Sequence, residues 1–411
     1  MQSRIDRRKL LASAAAVAGA SILPLPAIAE RAPLKIGFMT IKTGPLAQGG
    51  LQMEQGVEVF FKQRNYMLAG RKVELYTADT GGNPATAKTK VQELISRDGV
   101  DLILGVLASF ELIAIADDIE KAKVPLLAHA GTDDQTQRHP NPYLVRQTPT
   151  SSQCMFPLAD YAAKTMNLKK VVTISEDFAF GYEQMGGFQR VFEDEGGRIE
   201  KKLWPPLVTP DYTPYIAQID QPDAVVAGFA GSNPLRFMKQ YADEGKPAPV
   251  LGGQAMGDDA LLKSFGDEAV GMVNSCPYTI DYKSPINEKF IADIVKLSGN
   301  IPGFYAADMY THGMVAEAGL KALNGDTSNK AALIAALRKV ELADSPRGPV
   351  KFDRYGQGIG NIFIRKIEKQ GGKLVNTTLK TYKDVSQFWT YDPRQYLATP
   401  SYSRDYPPLK S

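Results

Sequence analysis

Cysteine, histidine and concentrated charge are all scarce in this chain. Its 411 residues hold two cysteines, Cys154 and Cys276, and three scattered histidines, His129, His139 and His312. No Cys-x-x-Cys pair occurs, and a zinc or iron–sulfur centre needs a denser cluster of ligands. In an oxidising compartment the two thiols can pair, and buried singly they behave as small apolar residues; both readings stay open. The chain carries 48 Lys and Arg against 45 Asp and Glu, a net charge of +3, with no basic run beyond its first few residues. A nucleic-acid binder needs a concentrated basic face, so nucleic acid is not an expected partner. Catalytic signatures are missing as well. There is no G-x-S-x-G elbow, no H-E-x-x-H and no phosphate-binding loop. The pairs Gly81-Gly82 and Gly252-Gly253 do not extend to G-x-G-x-x-G, the dinucleotide fingerprint. His129 ends a strand, but no Ser or Cys nucleophile is paired with it, and it reads as structural. A protein that is not an enzyme and needs no cofactor is the expectation.

The N-terminus is where the long apolar run lies. Arg4, Arg7, Arg8 and Lys9 precede an apolar stretch from Leu10 to Leu23. Pro24 and Pro26 then break the helix, and Ala27-Ile28-Ala29 supplies the small residues of a cleavage site. The run is too short to cross a bilayer, which needs roughly 20 residues. Residues 1–29 therefore read as a signal peptide, and Arg7-Arg8 followed by Leu10-Leu11 resembles a twin-arginine signal. The expectation is an exported, periplasmic protein.

The rest alternates short apolar strands with helices. Leu34–Met39, Lys72–Ala78, Asp101–Val106 and Val124–His129 read as strands, with helices at Pro84–Arg97 and Phe110–Lys121 between them. Asn83 caps the helix that Pro84 opens. A second series with the same rhythm starts near residue 150, with strands at Lys170–Ser175, Ala224–Gly228 and Pro249–Gly252. Apolar strands alternating with helices indicate βαβ units and parallel sheets, and two such series imply two lobes. Ligands bind beyond the carboxyl ends of such strands. Ser109 opens a helix there, where its hydroxyl and the free N–H groups suit a carboxylate. Gly131 lets backbone approach at the neighbouring strand end, and Thr132 offers a second hydroxyl. From Asp384 onward the chain is rich in Tyr and Pro with no helical or strand period, and reads as an extended strap anchored by aromatics.

These segments resemble the periplasmic binding proteins of branched-chain amino-acid ABC importers, the leucine/isoleucine/valine-binding group. The likeness runs through Ile36-Gly37, Thr43-Gly44-Pro45-Leu46-Ala47, Asp79, Asn83-Pro84, Lys88, Leu104-Gly105, Ser109, Val124-Pro125, Ala130-Gly131-Thr132 and Gly252. It implies an α/β fold of two doubly wound parallel-sheet lobes, the type I arrangement, joined by three hinge crossings. Residues 33–149 and 280–349 form lobe one, 150–279 and 350–383 lobe two, and 384–411 the tail. It also implies a monomer that hands a small-molecule carboxylate to membrane permease subunits. In the family, the positions of Ser109, Ala130 and Thr132 hold the ligand carboxylate and an aromatic at Phe180 covers the ligand. Phe110, Gly131 and Phe229 complete the candidate set here. The position that holds the ligand ammonium is acidic in the family but Gln254 here, and a desolvated ammonium without a carboxylate is costly. A tryptophan of the first loop is replaced by Gly49-Gly50, which is expected to leave room for a ring. The tail, Phe388-Trp389-Thr390-Tyr391 to Tyr406-Pro407, resembles members that bind benzoates and hydroxycinnamates. An aromatic carboxylate is the expected ligand, with a branched-chain amino acid or amide as the alternative.

Overall fold

In the computed structural model, which describes residues 31–245 and 248–410, the chain winds two sheets in the same pattern. The proposed signal peptide lies outside the described residues. Lobe one starts with β1 (Leu34–Thr40), α1 (Ala47–Lys62), β2 (Met67–Leu68), β3 (Arg71–Asp79), α2 (Pro84–Glu93), β4 (Leu102–Gly105), α3 (Ser109–Ala122), β5 (Leu126–Ala128) and β6 (Leu144–Val145). Lobe two follows with α4 (Ser151–Lys164), β7 (Lys170–Ser175), α5 (Ala179–Asp194), β8 (Arg198–Leu203), α6 (Thr213–Ile216), β9 (Ala224–Gly228), α7 (Asn233–Asp243), β10 (Val250–Gly252) and β11 (Val273–Cys276). The chain returns to lobe one as α8 (Pro285–Ser298), α9 (Phe304–Ala322) and α10 (Lys330–Arg338). It then rejoins sheet two as β12 (Val350–Phe352), β13 (Gly358–Gln370) and β14 (Lys373–Val385), and ends with α11 (Pro393–Leu397).

Sheet one has the order β2-β3-β1-β4-β5-β6 and sheet two the order β12-β13-β11-β10-β9-β7-β8, with β14 on β13. The parallel strands β3-β1-β4-β5-β6 and β8-β7-β9-β10-β11 therefore share one doubly wound order. Its switch points fall at β1/β4 and β7/β9, where such sheets open a crevice. Every residue of β4, β5 and β9 is buried, as strands covered by helices on both faces must be. Local signals set the helix starts. Asn83 accepts from the N–H groups of Ala85 and Thr86 at 2.9 and 3.1 Å, and Thr150 and Gln153 cap α4 reciprocally at 3.0 Å each way. The helix expected to run to Arg97 ends earlier, α2 giving way to a wider turn over Leu94–Asp98.

The three connections between the sheets are bound to one another. Arg347 donates to Gln147 O at 2.7 Å, Arg146 to Gln357 Oε1 at 2.7 Å, and Gln357 to Thr148 O at 2.7 Å. Cys154 and Cys276 are both buried and unpaired, so the disulfide alternative does not hold. Burial pushes the Cys154 thiol up to about 12. The tail is not wholly extended: Asp392 caps α11 at 3.0 Å to the N–H groups of Arg394 and Gln395. Its aromatics do act as anchors, with the Arg190 guanidinium 4.3 Å from the rings of Tyr391 and Tyr396. No helix among the described residues is long and apolar enough to cross a membrane.

Candidate functional site

The carboxyl ends of the two sheets face each other across a cavity. Leu46, Leu107, Ala108, Ser109, His129, Gly131, Phe304 and Tyr305 line it from lobe one, and Phe178, Phe180, Ala230 and Gln254 from lobe two. The space between the atoms, including its mouth, is ≈ 400 Å³. Hydrogen bonds hold the lobes together around it. Ser232 N donates to Pro45 O at 3.1 Å, and Asp133 N donates to Glu183 Oε1 at 3.0 Å. Asp258 of lobe two accepts from Gln52 Nε2 at 2.7 Å and from Phe304 N, at the start of α9, at 2.8 Å.

Of the residues expected at the site, Ser109, Gly131, Phe180 and Gln254 line the cavity. Ala130 and Thr132 stand one layer back, where Arg146 fixes their turn by donating to Ala130 O at 2.8 Å and Thr132 O at 2.6 Å. Thr132 Oγ1 in turn donates to Ser109 O at 3.4 Å, so the two strand ends are coupled. Phe110 does not line the cavity; its ring stands edge-on to Phe178 at 5.4 Å and supports it. Phe229 lies in the core of lobe two, 5.1 Å from Tyr212 and 4.8 Å from Phe237. An apolar ring at the end of a buried strand finds more contact there than in the cleft. The glycine pair is also placed differently from expectation. Gly49 and Gly50 belong to α1, where a Cβ on Gly50 would lie 1.8 Å from Ile41 O and one on Gly49 3.0 Å from the Tyr305 ring. They allow close packing and leave no room for a ligand ring.

The cavity's other ring-bearing residues were not expected from sequence. Phe178 stacks on Phe180 at 5.8 Å and 22°, extending the aromatic wall. Phe304 and Tyr305 arrive on α9 with their rings 4.0 Å apart. His129, read as structural, faces the cavity with Nδ1 2.6 Å from Asp308 Oδ2. Phe178 had a signal, an aromatic two residues before Phe180 at a strand end; the α9 residues had none, being nearly 200 positions from Ser109.

The electrostatics are those of a site without a free carboxylate. Among the described residues, none that lines the cavity is Asp, Glu, Lys or Arg. Glu176 lies just behind Ala230, its Oε1 accepting from Ala230 N at 3.2 Å and Asn233 Nδ2 at 2.8 Å. Burial pushes this carboxyl up to about 8, against the pull of those two donors. Glu111 is likewise turned away, toward Thr80 and Ala108 N, and burial pushes it up to about 7. Desolvation without a cationic partner drives both acids toward the neutral form, Glu176 the further of the two.

Residues 33–373 match the periplasmic binding protein family. Leu/Ile/Val-binding protein homolog 6 of Brucella suis biovar 1 is 28% identical over 366 residues, covering 85% of this chain and 92% of that protein. A solute-binding protein of an ABC transporter from Rhodopseudomonas palustris BisB5, solved with 3,4-dihydroxybenzoic acid, is 32% identical with a TM-score of 0.82, covering 86% of this chain and 98% of that one. Another from R. palustris, solved with 4-hydroxybenzoate, is 28% identical with a TM-score of 0.81, covering 87% and 99%. With a match spanning most of its length and a fold shared throughout, the chain belongs to the periplasmic binding protein family.

Proposed function

We propose that this protein is the extracytoplasmic substrate-binding subunit of an ABC importer and carries a small aromatic carboxylate of the benzoate or hydroxycinnamate type. The observation that carries this reading is the cavity lining. Phe178, Phe180, Phe304 and Tyr305 contribute aromatic rings, Ser109 and Gln254 contribute neutral polar groups, and no carboxylate is there to meet an ammonium. The ligand carboxylate lies on lobe one, against the Ser109 hydroxyl and the free N–H groups that begin α3. Gly131, its turn held by Arg146, lets the ligand approach the backbone. Phe178 and Phe180 cover the ring from lobe two, and Gln254 hydrogen-bonds a ring substituent such as a phenol. An α-amino acid would bury its ammonium unpaired. The lobes part and close about the three connections, so that the closed form is the one offered to the permease. The protein works as a monomer, without cofactor, in the periplasm. The relatives named for leucine, isoleucine and valine favour a second reading, a branched-chain amino-acid binder of the same fold.

A thermal-shift screen over benzoates, hydroxycinnamates and branched-chain amino acids separates the two. Stabilisation grows as RT ln(1 + [L]/Kd), about 4 kcal/mol at a thousandfold excess over Kd. Aromatic acids are expected to raise the melting temperature and leucine to leave it unchanged; the reverse pattern overturns the reading.

A further inference from the structure

His129 sits at the end of β5 with its side chain 5% exposed and on the cavity wall. Its Nδ1 is 2.6 Å from Asp308 Oδ2. That oxygen also accepts from Thr148 Oγ1 at 2.5 Å, and Gln147 Nε2 donates to Oδ1. Burial alone would raise the Asp308 carboxyl, but His312 and His129 beside it hold it well below the usual carboxylate range. An ionised carboxylate only accepts, so Nδ1 of His129 carries the proton and the tautomer is fixed. The ring also packs against the adjacent rings of Phe304 and Tyr305, at 5.7 and 5.1 Å between centroids. Nε2 has no protein hydrogen-bond partner among the described residues. In the neutral ring that nitrogen is a lone pair facing the cavity, which would repel a carboxylate beside Ser109.

The other titratable and charged groups packed around the imidazole do not compensate a ligand anion. On α9, His312 is engaged through Nε2 with Ala128 O at 3.1 Å, and Tyr305 has its phenol held protonated by burial. Asp258 binds the start of α9. Glu111 on α3 faces Thr80, and Glu176 of lobe two faces Ala230 and Asn233. Arg347 lies behind Gln147, and Arg146 is committed to the Ala130–Thr132 turn. His129 is the one group on the wall that can supply a positive charge.

We infer that His129 is the counter-ion of the cargo and a determinant of selectivity for anions. When a carboxylate enters, one proton passes from solvent buffer to Nε2, forming an N–H bond aimed at the ligand. Asp308, the imidazolium and the carboxylate then alternate in charge, and anion and proton bind as one neutral unit. Asp308 acts as a positioning residue that fixes the tautomer. The inference rests on the proposal that the ligand is a carboxylate.

Calorimetric titration of the full protein at pH 7.5, in phosphate and in Tris, measures the proton directly. With 4-hydroxybenzoate, about one proton is expected to be taken up per ligand, and with neutral 4-hydroxybenzamide none. In His129→Asn, whose amide can still donate to Asp308, the uptake is expected to vanish and carboxylate affinity to fall about ten- to a hundredfold, with the amide unaffected. No uptake by the parent protein, or unchanged carboxylate binding by His129→Asn, overturns the inference. Should 4-hydroxybenzoate not bind and leucine bind instead, the aromatic reading fails, while the same two-buffer titration with leucine, also a carboxylate, still decides for or against His129. Imidazole ¹⁵N spectra of the ligand-free protein give a readout that needs neither ligand nor variant: the Nδ1–H form is expected, and an Nε2–H form contradicts the inference.

Discussion

Gly231 of lobe two, at φ +61, presses against lobe one so closely that a Cβ there would lie 2.0 Å from Pro45 O. The next residue, Ser232, donates its N–H to that same oxygen at 3.1 Å. An ordinary carbon–oxygen contact is about 3.3 Å, so Gly231→Ala must part the lobes by about an ångström at this point. Relieving the overlap costs about 1–3 kcal/mol and losing the hydrogen bond about 0.5–1.5 kcal/mol. If the lobes part and close as proposed, both penalties fall on the closed form alone. At about 1.4 kcal/mol per tenfold, ligand affinity should drop roughly ten- to a thousandfold. The left-handed backbone adds about 1–2 kcal/mol for any Cβ-bearing residue, but that penalty is the same in open and closed forms. It lowers the ligand-free melting temperature by a few degrees and does not enter the affinity. Gly196→Ala is the control, since Gly196 is also left-handed (φ +83) yet has nothing within 4 Å of its would-be Cβ. Calorimetry and thermal melts on the parent and both variants test the reasoning. If Gly231→Ala binds ligand as tightly as Gly196→Ala, the contact between the lobes is not part of the bound state.

Two further outcomes follow from the same geometry. Ser109→Ala should weaken every carboxylate ligand by about 1.5–3 kcal/mol, roughly ten- to a hundredfold, through loss of a charge-assisted hydrogen bond, and calorimetry should show little change for an amide analogue. Glu176 has its carboxyl raised from 4.5 to about 8 in the fold, so the folded state keeps a proton that the unfolded chain releases. Stability is therefore full below about 4.5 and falls as the pH rises toward 8. Melting curves from pH 5 to 8.5 should slope down for the parent and flatten in Glu176→Gln, whose amide oxygen still serves Ala230 and Asn233. An equal slope in both would remove Glu176 from the account.

The framework was legible because most of the longer strands announce themselves locally, whereas the short β2, β6 and β12 do not. Leu102–Gly105 is a plain apolar run and becomes a fully buried strand, and Asn83-Pro84 marks a helix start by its own capping chemistry. Ser109 and Gly131 were legible for the same reason, as small or hydroxyl residues directly after apolar strands. What escaped was set by contacts distant in sequence. Phe304 and Tyr305 reach the cavity on α9, and nothing near them speaks of a ligand. His129 looked structural until Asp308, 179 positions away, supplied the partner for Nδ1. Gly49-Gly50 looked like vacated space, but helix α1 uses both glycines to approach Ile41 and Tyr305. Phe229 shows the limit of reasoning from strand ends: whether such a ring faces the cleft or the core depends on Tyr212 and Phe237, which the strand itself does not reveal.

The central claim, that the cleft selects an aromatic carboxylate and refuses an α-amino acid, is tested most directly by titrating the purified protein with 4-hydroxybenzoate and with leucine in a calorimeter. The cavity has Gln254 and no carboxylate on its wall, so 4-hydroxybenzoate is predicted to bind in the micromolar range or tighter, corresponding to about −8 kcal/mol, with leucine giving no measurable heat of binding. Tight leucine binding with no response to 4-hydroxybenzoate would contradict it.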